Sequence, residues 1–301
     1  QPLGEVVSEL ADLEVLEGFD ADGKPKLRPA TQPVTARQLL THTSGFGYEI
    51  WNPSLGQYQK ATATPGIASG KKAALKMPLA FDPGQRWEYG INTDWVGQLV
   101  EATSGLALDV YLKQHIFEPL GMTDTGFWVS PGNANRLATV YRPSSEGELR
   151  PHQIEDVPFT ERPTLIEGGV GLVASTMDFL RFSQMFLNGG QLDGNRVLQP
   201  ETVAIMTVNR IPDALLPLGF GRPTLGQGWG LGFSIVMDAS KYAYPVNDGD
   251  FWWDGSAGTR FWIDPTENMV TIIMAQVSPS GGQGFREEFK TGVDEAILEK
   301  R

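Results

Sequence analysis

Residues 83–94 read Pro-Gly-Gln-Arg-Trp-Glu-Tyr-Gly-Ile-Asn-Thr-Asp, with Tyr89 at the centre, and the reading of this stretch decides how the rest of the chain is understood. Taken alone, a tyrosine after Trp87-Glu88 is a half-buried aromatic with a satisfied hydroxyl. Its neighbours say more. Downstream, Trp95, Val96, Leu99 and Val100 share one face of a helix expected over 94–103, with Asn92 or Thr93 as its cap and Asp94 as a charge at its N-terminus. Upstream, Pro83-Gly84 breaks the chain, and before it stands Leu39-Leu40-Thr41-His42-Thr43-Ser44-Gly45. Thr35 is placed to cap a short helix over 36–41 that Ser44-Gly45 stops, so His42 reads as a residue of a structural corner. Residues 46–70, rich in Gly, Pro, Thr and aromatics, read as a long surface loop, and 6–16 as helical or irregular, followed by a turn at 20–23.

Beyond Asp94 the pattern continues with an amphipathic helix over 108–117. Ser175-Thr-Met-Asp178 follows, a capping box with Asp in the Glu/Gln position, opening a helix that runs to Leu187. Pro200-Glu201 starts another. The character then changes: 229–237, 248–253, 259–263 and 269–277 are β-rich runs separated by Gly, Asp and Pro, which predicts an antiparallel meander, and 285–298 is a terminal amphipathic helix. Helices, then strands, then a last helix indicate an α+β fold, with no internal repeat and no inter-domain linker. One domain over 1–301 is expected, with a mainly helical and loop lobe over 1–174 and a sheet lobe with its helix over 175–301.

Composition narrows the function. With 24 basic against 36 acidic residues the formal charge is −12, and the basic clusters are as short as Lys71-Lys72, which argues against nucleic acid as a partner. No apolar run approaches the ~20 residues of a bilayer span. Zero cysteines exclude disulfides, thiolate metal sites and Cys nucleophiles and leave the compartment open. No His-x-x-x-His or His/carboxylate spacing supports a metal site, so no cofactor is expected. Gly-x-Ser-x-Gly does not occur: Asp254-Gly-Ser256-Ala-Gly258 has Asp where the first Gly is needed.

Read in order, the corner at 39–45, the Tyr89 stretch and Trp253-Asp254-Gly255-Ser256-Ala257-Gly258-Thr259 together resemble the serine β-lactamase and penicillin-binding-protein-like superfamily, and within it the family VIII carboxylesterases. The resemblance implies a helical domain joined to an antiparallel sheet flanked by helices, with acyl transfer through a serine-bound acyl-enzyme in the cleft between them. It implies Tyr89 as base and later proton donor, the Ser256 backbone N–H as an oxyanion donor, Trp253 lining the acyl pocket, Gly255 allowing close approach of substrate, and Asn92 in substrate binding by orienting the cleft. A phenol with an ordinary pKa near ~10 acts as a base only where cations stabilise the phenolate, which in the family is the Lys of a Ser-x-x-Lys segment.

That segment precedes the corner in the family, together with the first strands of the sheet. The chain is therefore expected to carry the fold without them and to be inactive alone. Ser69-Gly-Lys-Lys72 has the form of Ser-x-x-Lys but stands after the corner and reads as a solvated helix start. Two further departures matter. Ile91 stands where class C β-lactamases have the Asn of Tyr-x-Asn, which points toward short-chain esters ahead of β-lactams. Asp254 stands where esterases have Gly, and a carboxylate beside an oxyanion site is unfavourable unless it points away. Alternatives are an acyltransferase of the same fold or a non-catalytic binding protein. Oligomeric state is not readable.

Overall fold

The computed structural model describes residues 2–280 and 284–297. In chain order they form β1 (Glu14–Phe19), β2 (Pro25–Pro29), α1 (Ala36–Leu40), α2 (Pro53–Thr62), α3 (Asn92–Ser104) and α4 (Leu108–Leu112), the last continuing as a π-helical turn over Lys113–Phe117. After the short hairpin β3 (Tyr141–Pro143) and β4 (Leu149–Pro151) come α5 (Thr176–Leu187), β5 (Gln191–Leu192), β6 (Asn195–Arg196) and α6 (Pro200–Met206). The hairpin β7 (Leu218–Gly219) and β8 (Pro223–Thr224) leads to β9 (Gln227–Trp229), β10 (Ser234–Val236), β11 (Phe251–Asp254), β12 (Thr259–Asp264), β13 (Met269–Met274) and α7 (Phe285–Glu295). The α+β reading stands. The predicted meander is a five-stranded antiparallel sheet in the order β13-β12-β11-β10-β9.

Two compact units share the chain. One comprises Gln1–Leu112, Arg162–Gly171 and Arg210–Thr224; the other comprises Lys113–Glu161, Leu172–Asn209 and Leu225–Arg301. Each draws on three segments, whereas the sequence reading divides the chain once, after residue 174.

In the first unit the core is built from Leu39, Phe46, Leu55, Leu79, Ile91 and Trp95, with β1 and β2 packed at its edge. Here the sequence reading needs three corrections. Part of the expected loop at 46–70 is α2, because Asn52 Oδ1 accepts from Ser54 N and Leu55 N while Pro53 occupies the first turn. Part of 6–16 belongs to a hairpin whose turn is fixed by Asp20 Oδ1 accepting from Asp22 N and Lys24 N. And α3 begins at Asn92 with Ile91 as its cap residue, so neither Asn92 nor Thr93 caps it.

The second unit is organised by strand alternation, which sends successive residues to opposite faces. On one face Phe261 and Phe251 meet Phe179 and Phe186 of α5, at ring separations of 4.9 and 6.3 Å. On the other, Asp254 meets Arg286 of α7. Ser175 caps α5 by accepting from Asp178 N. The reciprocal half of the expected box is absent, because the Asp178 carboxylate accepts from Asp124 N and Thr125 Oγ1 instead. The terminal helix ends at Glu295, and the last residue of its expected span, Leu298, lies outside the described residues.

Candidate active site

Tyr89 is carried by a corner that the sequence writes in small and polar residues. Thr35 and Gln38 close a capping box at the start of α1. Past its end His42 adopts a left-handed backbone, Thr43 N returns to Gln38 O, and Thr41 Oγ1 returns to Arg37 O. Glu88 N then donates to His42 O at 2.9 Å, which docks the Tyr89 segment on the corner. Gly90 lies directly on the backbone of Gly47, leaving no room for a side chain between the two segments.

Asn92 is fully buried and spends its amide on the same corner. Its Oδ1 accepts from Ser44 Oγ, and its Nδ2 donates to Phe46 O at 3.1 Å. It ties α3 to the corner. Asp94, expected as a helix N-terminal charge, is 1% exposed and accepts from Gly169 N at 2.9 Å. Burial pushes its carboxyl up to about 7.

The Tyr89 ring is half-buried in a nest of aromatics. The His42 ring lies against it at 4.5 Å between centroids, Phe220 at 5.6 Å, and Tyr48 and Trp51 each at 5.7 Å. Trp51 is 41% exposed. Burial pushes the His42 imidazole down to about 3, so at neutral pH it is uncharged and supplies no field for a phenolate. Ser69 Oγ donates to Gly66 O at 2.6 Å, and Lys72 Nζ pairs with Glu9 at 2.9 Å. The two ends of this Ser-x-x-Lys serve other partners and not each other.

Trp253, Gly255 and Ser256 belong to the second unit. Trp253 stands opposite Phe261 in the β11–β12 ladder, with its ring edge-on to Trp229 at 4.4 Å. After Asp254 the chain turns tightly: Gly255 N donates to Thr259 O at 2.9 Å, and Gly258 N donates to Gly255 O at 3.0 Å. Ser256 and Ala257 are the central residues of that turn. Ser256 is exposed, and its N–H donates to no group among the described residues. The Asp254 carboxylate does point away: its Oδ2 accepts from Arg260 at 2.6 Å and from Arg286 at 2.9 Å, on the face opposite to Trp253.

Residues 13–290 match the family described as Beta-lactamase. The chain belongs to the beta-lactamase family. It is similar to Protein Rv1367c of Mycobacterium tuberculosis, at 34% identity over 286 residues that span 92% of this chain and 71% of that protein. It is also similar to the monacolin J acid methylbutanoyltransferase of Aspergillus terreus, at 30% identity over 292 residues, 91% of this chain and 69% of that one. Among solved structures it matches unliganded simvastatin synthase from Aspergillus terreus with a TM-score of 0.83 and 26% identity, covering 99% of this chain and 77% of that chain. Matching relatives are named both as acyltransferases and as esterases.

In this beta-lactamase-family chain the sequence missed Trp51 and Phe220 as neighbours of Tyr89, and Arg260 and Arg286 as partners of Asp254. Trp51 lay in a stretch read as loop, and Phe220 comes from a segment far along the chain. Arg260 could have been found: it stands directly across the ladder from Asp254, where opposite charges attract.

Proposed function

We propose that this chain carries the Tyr89 and Ser256 machinery of a serine hydrolase acting on short-chain carboxylic esters, through an acyl-enzyme formed on the Ser of the family's Ser-x-x-Lys segment. Tyr89 serves as base and then as proton donor. The Ser256 N–H receives the oxyanion, Trp253 lines the acyl pocket, and Gly255 keeps the strand edge open to substrate. Asn92 acts as a positioning residue through the corner that carries Tyr89. The observation that supports this reading most is the β11–β12 turn, where the exposed Ser256, whose N–H has no acceptor among the described residues, follows Gly255 and the half-buried Trp253.

Because His42 is neutral, it does not supply the charge that makes a phenolate accessible. The reading assigns that charge to the Ser-x-x-Lys that the family places before the corner. Esters are favoured over β-lactams because Ile91 is buried in the core and the Asn92 amide is spent on Ser44 and Phe46. The exposed Trp51 beside Tyr89 and the acyltransferases among the relatives favour a second outcome of the same chemistry, in which an alcohol takes the acyl group in place of water.

The test is p-nitrophenyl ester turnover with fluorophosphonate labelling. In a protein that carries the family's Ser-x-x-Lys segment, Tyr89→Phe is expected to lower kcat by at least ~100-fold with little change in KM, because proton transfer acts in the transition state. A variant within a few-fold of wild type removes Tyr89 from the mechanism, and strong labelling that Ser69→Ala abolishes overturns the assignment of the nucleophile.

A further inference from the structure

Asp254 is the residue at which the oxyanion strand departs from its expected pattern, and its surroundings give it a task. Its Oδ2 alone receives two guanidinium donors, Arg260 from the adjacent strand β12 and Arg286 from the first turn of α7. Arg286 also donates to Ser280 Oγ at 2.7 Å, and Arg260 to Glu287 Oε1 at 2.9 Å. The Arg260 guanidinium lies over the Trp252 ring at 4.7 Å, and both arginines are buried. Two cations thus converge on one carboxylate that immediately precedes Gly255.

The same helix end reaches the turn itself. A Cβ at Gly258 would stand only 3.0 Å from the edge of the Phe285 ring, and Val277 N, just past β13, donates to Ala257 O at 2.6 Å. The turn is therefore gripped from the β13 and α7 side, and Asp254 is the anion that holds the α7 side in place.

We propose that Asp254, clamped by Arg260 and Arg286, is a positioning residue that fixes the Gly255–Gly258 turn against α7 and so aims the Ser256 N–H. Without the carboxylate, two buried guanidiniums face each other with Glu287 as the remaining anion of the network, and removing one member of a buried ionic group leaves the others uncompensated. Their repulsion acts along the line from β12 to α7, which draws Arg286 and its neighbour Phe285 off the turn. An oxyanion donor works only at 2.7–3.1 Å from the developing charge, so small loosening here costs rate while leaving binding almost untouched. In this chain the carboxylate is a support for the oxyanion site, held on the far face of the strand.

The inference rests on the oxyanion role of Ser256, and the experiment separates the two. Amide hydrogen exchange of the turn reports its order without any need for turnover, through the Gly255, Gly258 and Val277 amides. In Asp254→Asn, which keeps size and an acceptor but removes the charge, exchange of these amides is expected to rise at least ~10-fold while the variant still melts cooperatively. In a protein that carries the family's Ser-x-x-Lys segment, ester turnover is expected to show kcat reduced about 10-fold, with KM within about 2-fold and the pH profile unmoved. Asp254→Glu is expected to restore part of both.

Should Asp254→Asn not fold, Arg286→Gln removes one cation while leaving the Asp254–Arg260 pair, and the same exchange increase is expected. Unchanged exchange in the folded variant overturns the proposal. Faster exchange with unchanged kcat overturns it too, by removing Ser256 from the oxyanion site, and leaves the brace as a purely structural device.

Discussion

Around Tyr89 the buried polar groups are neutral or pushed toward neutrality, whereas behind Ser256 they are ionised and paired. Burial holds His42 at about 3 and Asp94 at about 7, and what fixes the tyrosine is aromatic packing and backbone contact. Behind the β11–β12 turn, Asp254, Arg260, Arg286 and Glu287 form a chain of ion pairs closed by a cation–π contact. The two regions of one proposed mechanism are thus secured by different forces. The first is sensitive to volume and to pH, the second to charge. A phenol serving as base needs its charge supplied by a cation from outside this aromatic nest, while an oxyanion donor needs only a fixed direction, which ion pairs give.

The sharpest way to break the contrast is volume at Gly90. A Cβ there would collide with the Cα, carbonyl carbon and nitrogen of Gly47, all backbone atoms that no rotamer change can move. The backbone angles at Gly90 are ordinary, so the cost is one of space alone. Gly90→Ala is expected to destabilise by about 3 kcal/mol in denaturant melts, at the upper end for overpacking. A loss under about 1 kcal/mol would mean that the Tyr89 segment lifts away readily and is not held by packing.

Next in size is the pH dependence. The Asp94 carboxyl has an ordinary value of 3.8 and lies at about 7 in the folded chain, so the native state holds the proton more tightly than the unfolded one. Its contribution to stability is complete below pH ~4 and is lost as pH rises through ~7. His42 runs the other way: its ordinary 6.5 falls to about 3, so its contribution is present above ~6.5 and lost as pH drops toward ~3. Asp94→Asn is expected to remove about 2 kcal/mol of the fall in stability between pH 5 and 8, measured by urea melts at each pH. Asp250 in the second unit, also pushed up to about 7 by burial, keeps a residual slope in that variant. An unchanged slope would place the ionised form of Asp94 in the native state and remove the neutral character claimed for this region.

What the sequence made legible divides along the same line. The meander, α5 and the cap of α1 were readable because period-2 runs, a 3.6-residue stripe and Thr35-x-x-Gln38 are local signals. The motifs carrying Tyr89 and Ser256 were readable as motifs. What surrounds them was not. Asp94 looked like a helix-terminal charge because its burial depends on Gly169, which is distant in sequence. Phe220 and Arg286 reach their partners only through the fold, and α2 was hidden because its Gly and Thr content imitates a loop. Only the consequence of Asp254 was half-visible: its direction was posed as a question, and the partners that answer it lie on β12 and α7.

The smallest expected effect tests the other side of the comparison. Gly255, like Gly90, has ordinary backbone angles, and a Cβ there would also meet a close neighbour. That neighbour is Thr259 Oγ1, the free end of a side chain that can rotate, whereas at Gly90 it is backbone. Gly255→Ala should therefore cost less than about 1 kcal/mol in the same melts, since relief needs only a change of rotamer. Its effect on ester turnover should exceed its effect on stability, because the new methyl sits at the strand edge where the substrate is proposed to lie. If Gly255→Ala instead destabilised as much as Gly90→Ala, the turn would be packed as tightly as the Tyr89 segment. Ion pairs would then not be what holds it, and the division between a volume-sensitive base and a charge-braced oxyanion donor would collapse.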